Sequence, residues 1–196
     1  LRCTANLSSG QIYHLPKLLY RWRASEGSTA SDFSTKAYAS KSGLKAVSDA
    51  VQCKYPEANV VAGKLPGTFQ INYPIQNQPR VCLIIPTRDG LDFLKQCVES
   101  IKSLTTYKNY EIIIVDNQTR CQDTLEYFNE ITQVSANRLQ EIRVISFDDD
   151  FNYSAINNFG VKQAKGSIVG LINNDVEVIN SEWLCEMVSQ VSRGEI

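Results

Sequence analysis

The chain has 196 residues, 43% of them hydrophobic, enough to bury the core of one medium domain or two small ones. Lys and Arg number 20 against 21 Asp and Glu with no basic block, so the footprint of a nucleic-acid binder is missing and no nucleic-acid partner is expected. No apolar run approaches a membrane span, and the opening LRCTANLSSG lacks a basic-then-apolar signal layout; the expectation is a soluble, cytoplasmic chain without a transmembrane segment.

Residues 1–79 read as an N-terminal segment. In it, QIYHLPKLLYRWR (11–23) alternates enough for short strands interrupted by Pro16, with His14 structural and Tyr20 and Trp22 as core or interface aromatics. EGSTAS (26–31) is a loop, 34–55 a helix despite Gly43, and TFQINYPI (68–75) a short strand running into a proline-bounded linker. From Arg80 the pattern becomes regular. VCLIIP (81–86) is a continuous apolar run, and GLDFLKQCVESIKSL (90–104) repeats Leu91, Leu94, Val98, Ile101 and Leu104 at helical spacing. YEIIIVD (110–116) is a second strand, 121–134 a second helix and IRVISF (142–147) a third strand. SAINNFGVKQAKG (154–166) reads as a helix closed by its glycine, then comes the strand of IVGLINNDVEVI (168–179) and a last helix from about Asn180. Apolar strands alternating with helices predict an α/β fold, a parallel sheet covered on both faces.

Six cysteines lie scattered with no CxxC pair and one histidine beside them, which argues against zinc. Cys82 and Cys97 fall inside element patterns and read as small buried hydrophobes, and scattered thiols fit a reducing compartment.

Ligands of parallel α/β sheets sit at the carboxyl ends of the strands. Here those ends carry Pro86, Thr87, Arg88 and Asp89; Asp116 and Asn117; the DDDFNYS stretch; and Asn173, Asn174 and Asp175. Neither GxGxxG nor GxxxxGK[ST] is present, so nicotinamide enzymes and P-loop NTPases fall back. What remains is carboxylates and amides, oxygen ligands suited to Mg²⁺ or Mn²⁺, at Asp175 beside the amides of Asn173 and Asn174. An Asx-type turn is the alternative for that triplet, and Asp148, Asp149 and Asp150 read as a solvated loop. Asp116 is positioned to accept from a ribose hydroxyl or a base N–H. Arg88 is either a diphosphate contact or a surface ion pair.

Taken together, VCLIIPTRDGLDFLKQCVESI, YEIIIVDNQT, FNYSAINNFGVKQAKG and LINNDVEVI resemble family 2 glycosyltransferases of the GT-A fold. The resemblance spans residues 80–196 and implies a Rossmann-like sheet, strand order 3-2-1-4 for the part present, that binds a nucleotide-sugar donor. It implies Thr87, Asp89 and Asp116 near the base and ribose, with Pro86, Arg88, Asn117 and Asn174 on the same rim. NND stands where the family has its DXD motif; Asp175 matches the metal-binding aspartate, with Asn173 beside it as a second cation ligand. FNYSAINN is similar to the donor-side segment, bringing Asn152, Asn157 and Asn158, with Asn157 where many members carry an arginine.

The functional expectation is inverting transfer of a sugar to a saccharide or lipid-linked saccharide acceptor, with a divalent cation. The implied setting is bacterial surface-polysaccharide synthesis, in the cytoplasm or peripherally at the inner membrane. No residue matches the family's catalytic base. IYHLPKLLYRWRASEGSTA resembles the far C-terminal strand and loop of related transferase domains, which implies a fragment of a longer chain with other domains, exposing sheet edges and unfilled apolar surface. The alternatives are a non-catalytic nucleotide-sugar binding or interaction module, and a Rossmann oxidoreductase.

Overall fold

The structure is a computed structural model that describes residues 3–4, 6–21, 37–135 and 141–193. It divides into two compact units, Leu1–Pro74 and Ile75–Ile196.

In the first unit, helix α1 (Ala37–Gln52) packs against strand β1 (Asn59–Ala62), which pairs antiparallel with β2 (Phe69–Asn72). Gly43 is there for close approach: a Cβ would meet the Phe69 ring at 3.0 Å. The strands expected over 11–23 do not form in the described part. Ser9–Gln11 is one 3-10 turn closed by reciprocal Ser8 and Gln11 bonds, and residues 12–21 carry neither helix nor strand. Pro16 offers no N–H to a ladder, and Leu15, Leu18, Leu19 and Tyr20 are all exposed, so the alternation has no face to bury. Tyr20 is therefore not a core aromatic, and His14 is exposed on irregular chain rather than held in a strand. Trp22 and the 26–31 loop lie outside the described residues.

The second unit is one parallel sheet of β3 (Val81–Thr87), β4 (Tyr110–Asp116), β5 (Glu141–Ser146) and β6 (Ile168–Leu171), in the order β5-β4-β3-β6. This is the expected order. Alternation splits each central strand between two cores. Leu83, Ile85, Ile112 and Ile114 face helices α2 (Leu91–Leu104), α3 (Gln122–Ser135) and α5 (Trp183–Val191), meeting Leu94, Val98, Ile101, Phe128 and Leu184. Cys82, Ile84, Ile113 and Val115 face α4 (Tyr153–Lys162) through Ile156. Burial on both faces is why the strands read as unbroken apolar runs. Burial pushes the Cys82 thiol up to about 12 and Cys97 up to about 11, so both remain protonated, as fits small buried hydrophobes.

Gly166 does not close α4. The helix ends at Lys162 with Gln163 as its cap, and Gly166 passes so near β3 that a Cβ would lie 2.5 Å from the Arg80 carbonyl oxygen. β6 has no outer strand among the described residues. An apolar groove of about 600 Å³ runs along it beneath α5, with Leu171, Ile179 and Met187 exposed.

Candidate functional site

Strand register decides which residues meet. Thr87 lies beside Asp116, Asp116 beside Ser146, and Ile84 beside Leu171, so all four strands end on one rim. At that rim a cavity of about 290 Å³ is lined by Pro86, Thr87, Arg88, Asn117, Asn173, Asn174 and Asp175. Phe151, Tyr153 and Ile156 complete the wall. These three were missed in the sequence. For Phe151 and Tyr153 the signal was aromatic residues interleaved with the polar DDDFNYS stretch at the start of a helix.

The polar triplet follows directly from β6. Ile172 extends the ladder by donating its N–H to the Ile84 carbonyl at 2.9 Å, after which the chain turns tightly and Val176 N–H reaches the Asn173 carbonyl at 3.4 Å. Both amides are held. Tyr153 Oη donates to Asn173 Oδ1 at 3.0 Å, and Asn174 Nδ2 donates to Thr87 Oγ1 at 3.1 Å. Asp175 is exposed, and no described residue donates a hydrogen bond to its carboxylate. Its charge is felt below, where it adds to burial in raising the Cys97 thiol.

Other expected residues lie around the cavity rather than on its wall. Asp89 Oδ1 accepts the backbone N–H groups of Arg120 and Cys121, each at 2.8 Å, and these bonds hold its carboxyl below the usual carboxylate value. Asp116 Oδ1 accepts the Thr119 N–H at 3.0 Å, bracing the turn that leaves β4. Asn152 caps α4 by accepting the Ala155 N–H, Asn157 is buried and donates to the Tyr153 carbonyl at 2.8 Å, and Asn158 is exposed on the helix. Asn117 does both jobs. It lines the cavity, and its Nδ2 donates to the carbonyls of Phe147 and Asp149, tying the end of β4 to the loop that carries Phe151 and leads into α4.

A divalent cation fits this chemistry only in one form. Among the described residues no cluster of three His, Cys, Asp or Glu side chains exists, so a cage built wholly of such groups is not offered. A single free carboxylate beside amide oxygens, with open space in front, suits a cation that completes its shell with water and phosphate oxygens.

Comparison with known proteins agrees with this geometry. The sequence matches Glycosyl transferase family 2 over residues 82–196. It is 41% identical over 194 residues to the uncharacterized protein y4gI of Sinorhizobium fredii, covering 98% of this chain and 21% of that protein. It is 32% identical over 189 residues to the O-antigen biosynthesis protein RfbC of Myxococcus xanthus, covering 96% of this chain and 14% of that one. The chain thus spans about a fifth or less of these relatives. Among solved structures, the mannosyltransferase PcManGT of Pyrobaculum calidifontis, in complex with GDP-Man and Mn²⁺, superimposes with a TM-score of 0.55 at 14% identity, over 81% of this chain and 43% of that one. That likeness is one of fold. The matched sequence, the parallel sheet and the strand-end cavity lead to one assignment: the chain belongs to glycosyl transferase family 2.

Proposed function

We propose that residues 80–196 form the donor-binding part of a glycosyltransferase that uses a nucleotide-diphosphate sugar. The observation that carries this is the exposed, unengaged carboxylate of Asp175 on a cavity to which the ends of β3 and β4 and the loop after β5 also contribute. In this reading Asp175, with an amide oxygen beside it, holds a Mg²⁺ or Mn²⁺ ion that offsets charge growing on the leaving diphosphate. Arg88, exposed on the same wall, adds a positive charge for the phosphates, while Thr87, Asn117 and the turn braced by Asp116 shape the nucleoside end.

Transfer is proposed to invert the sugar. The acceptor hydroxyl oxygen bonds to the anomeric carbon as the bond to the diphosphate oxygen breaks, the hydroxyl proton passes to a base, and the nucleoside diphosphate leaves. Direct displacement needs no enzyme nucleophile, which suits a cavity whose described lining residues include no Ser, Cys or His. The exposed β6 edge and its apolar groove support the proposal that further polypeptide completes the domain and supplies the base. The likeness to an O-antigen biosynthesis protein supports a saccharide or lipid-linked saccharide acceptor and surface-polysaccharide synthesis, in the cytoplasm or at the inner membrane. No helix among the described residues is long and apolar enough to cross a membrane.

Calorimetric titration with UDP, GDP and dTDP, each in Mn²⁺ and in EDTA, tests the site. One of the three is expected to bind only with metal, and Asp175→Ala to abolish that binding while the circular dichroism spectrum stays unchanged. Equal affinity with and without metal in both proteins removes the role of Asp175.

A further inference from the structure

We propose that Tyr153 is a positioning residue of this site: its phenol engages the oxygen of the Asn173 amide, leaving the amide N–H groups to donate to the diphosphate, so that Asn173 serves the anion and not the cation. The inference deepens the donor-site reading above and rests on it.

Two hydrogen bonds run in opposite senses through neighbouring amides. Tyr153 Oη donates to Asn173 Oδ1 at 3.0 Å. Asn174 Nδ2 donates to Thr87 Oγ1 at 3.1 Å, and the Thr87 hydroxyl in turn donates to the Asp89 carbonyl at 3.4 Å, which leaves its oxygen free to accept. A carboxamide has one accepting oxygen and one donating NH₂ group. Asn173 therefore has one lone pair of its oxygen engaged and both N–H groups available, whereas Asn174 has one N–H engaged and both lone pairs of its oxygen available. A hard cation takes oxygen ligands, which matches the Asn174 oxygen with the Asp175 carboxylate. Phosphate oxygens only accept, which matches the Asn173 N–H groups with Arg88 on the same wall.

The position of the Tyr153–Asn173 pair gives a second reason. Among the described residues, these two alone line both the site cavity and the apolar groove beside β6. Their hydrogen bond joins the first turn of α4 to the end of β6 across that boundary. Tyr153 is 48% exposed, so water could satisfy its hydroxyl without any protein partner. The consequence of the bond accordingly falls on the amide it orients.

The test is calorimetry on the 196-residue chain with UDP, GDP and dTDP in Mn²⁺. Tyr153→Phe keeps the ring and removes only the donor; it is expected to weaken the diphosphate that binds by about fivefold to tenfold. In an Asn173→Ala background the same change is expected to add nothing, whereas a merely structural tyrosine would weaken binding equally in both backgrounds. Asn173→Asp separates anion from cation service by sign: a carboxylate here repels the diphosphate and weakens binding, as the proposal requires, while tighter Mn²⁺-dependent binding would make residue 173 a cation ligand and overturn it. Tyr153→Phe equal to the parent protein overturns it too. If the folded parent protein binds none of the three diphosphates, the donor-site reading falls and takes this inference with it; if it binds and Tyr153→Phe changes nothing, this inference falls alone.

Discussion

Asp89 marks where sequence reading of a strand end reaches its limit. Its place after β3 was legible, since apolar VCLIIP had to stop where the polar residues begin. Its role was not, because the groups it binds are the N–H groups of Arg120 and Cys121, brought near only when β3 and β4 pair. Its backbone is left-handed, with φ 52°, a region Asp tolerates better than most side chains. Its own N–H also donates to Thr119 Oγ1 at 3.0 Å. The carboxylate thus fixes the loop between β4 and α3, the loop that carries Asn117 into the cavity. Asp89→Ala loses both the acceptor and the backbone tolerance, whereas Asp89→Asn keeps an accepting oxygen and the tolerance. The alanine variant should unfold at a temperature lower by roughly 4 °C, and the asparagine variant by less than half of that, in thermal melts followed by circular dichroism. The reverse ordering would show that the two amide bonds do not hold the loop. Asn117 and Asp116 are similar cases, expected as ligands from their strand end and found to brace backbone.

Elements of the parallel unit were legible because helices and doubly buried strands leave different periods in the sequence; each strand and helix boundary from β3 to β5 lies within a residue or so of its pattern. Short or exposed pieces were not. The four-residue strand β1, with a single buried residue, leaves almost no period to read, and the alternation over 11–23 is spent on exposed side chains. Gly160 shows how an element is seated rather than formed. A Cβ there would sit 2.7 Å from Ile84 Cγ2 and 3.1 Å from Val115 Cγ2, both on branched side chains of the buried sheet face, so the glycine lets α4 lie against β3 and β4. Tyr153 and the Asn152 cap begin this same helix, which makes the depth of its seat a determinant of the site. Gly160→Ala gains about 1 kcal/mol of helix propensity and loses about 2 kcal/mol to overpacking. A net loss of about 1 kcal/mol in urea unfolding is expected, accompanied by weaker diphosphate binding. Unchanged binding at that stability loss would mean that the helix seat and the site are independent.

The sheet as a whole has a cavity at one end and buried charge at the other. Opposite the cavity, Glu111 is fully buried in β4 between Cys82 of β3 and Glu141 of β5. Its Oε2 meets Arg80 at 3.5 Å and Arg143 at 3.4 Å, while Oε1 accepts the Lys165 N–H at 2.8 Å. Nothing in YEIIIVD announces this, because every partner is distant in sequence and only the parallel pairing gathers them. Burial alone pushes the Glu111 carboxyl up, but the Lys165 amide, the Arg143 guanidinium, the Cys82 thiol and Arg80 outweigh it, so the group is held below its ordinary value of 4.5. A carboxyl with a lowered folded value contributes its stability in full above the unfolded value and loses it as pH falls through the folded one. The chain should therefore be about equally stable from neutral pH down to about 5 and lose stability below roughly pH 4.5, a limb to which Asp89, also lowered, adds in the same direction. Glu111→Gln leaves both guanidinium groups facing a neutral amide. Since Arg80 and Arg143 keep 34% and 23% of their side-chain exposure, the loss at neutral pH is expected at about 2 kcal/mol, below the range for a fully buried pair. Urea unfolding at neutral pH and at about pH 3.5 should show the two proteins drawing together in acid, because as pH falls below the unfolded value the parent progressively loses the stability that the substitution removed already. A difference that stays constant between the two pH values would mean that the charge of Glu111 is not what joins this end of the sheet.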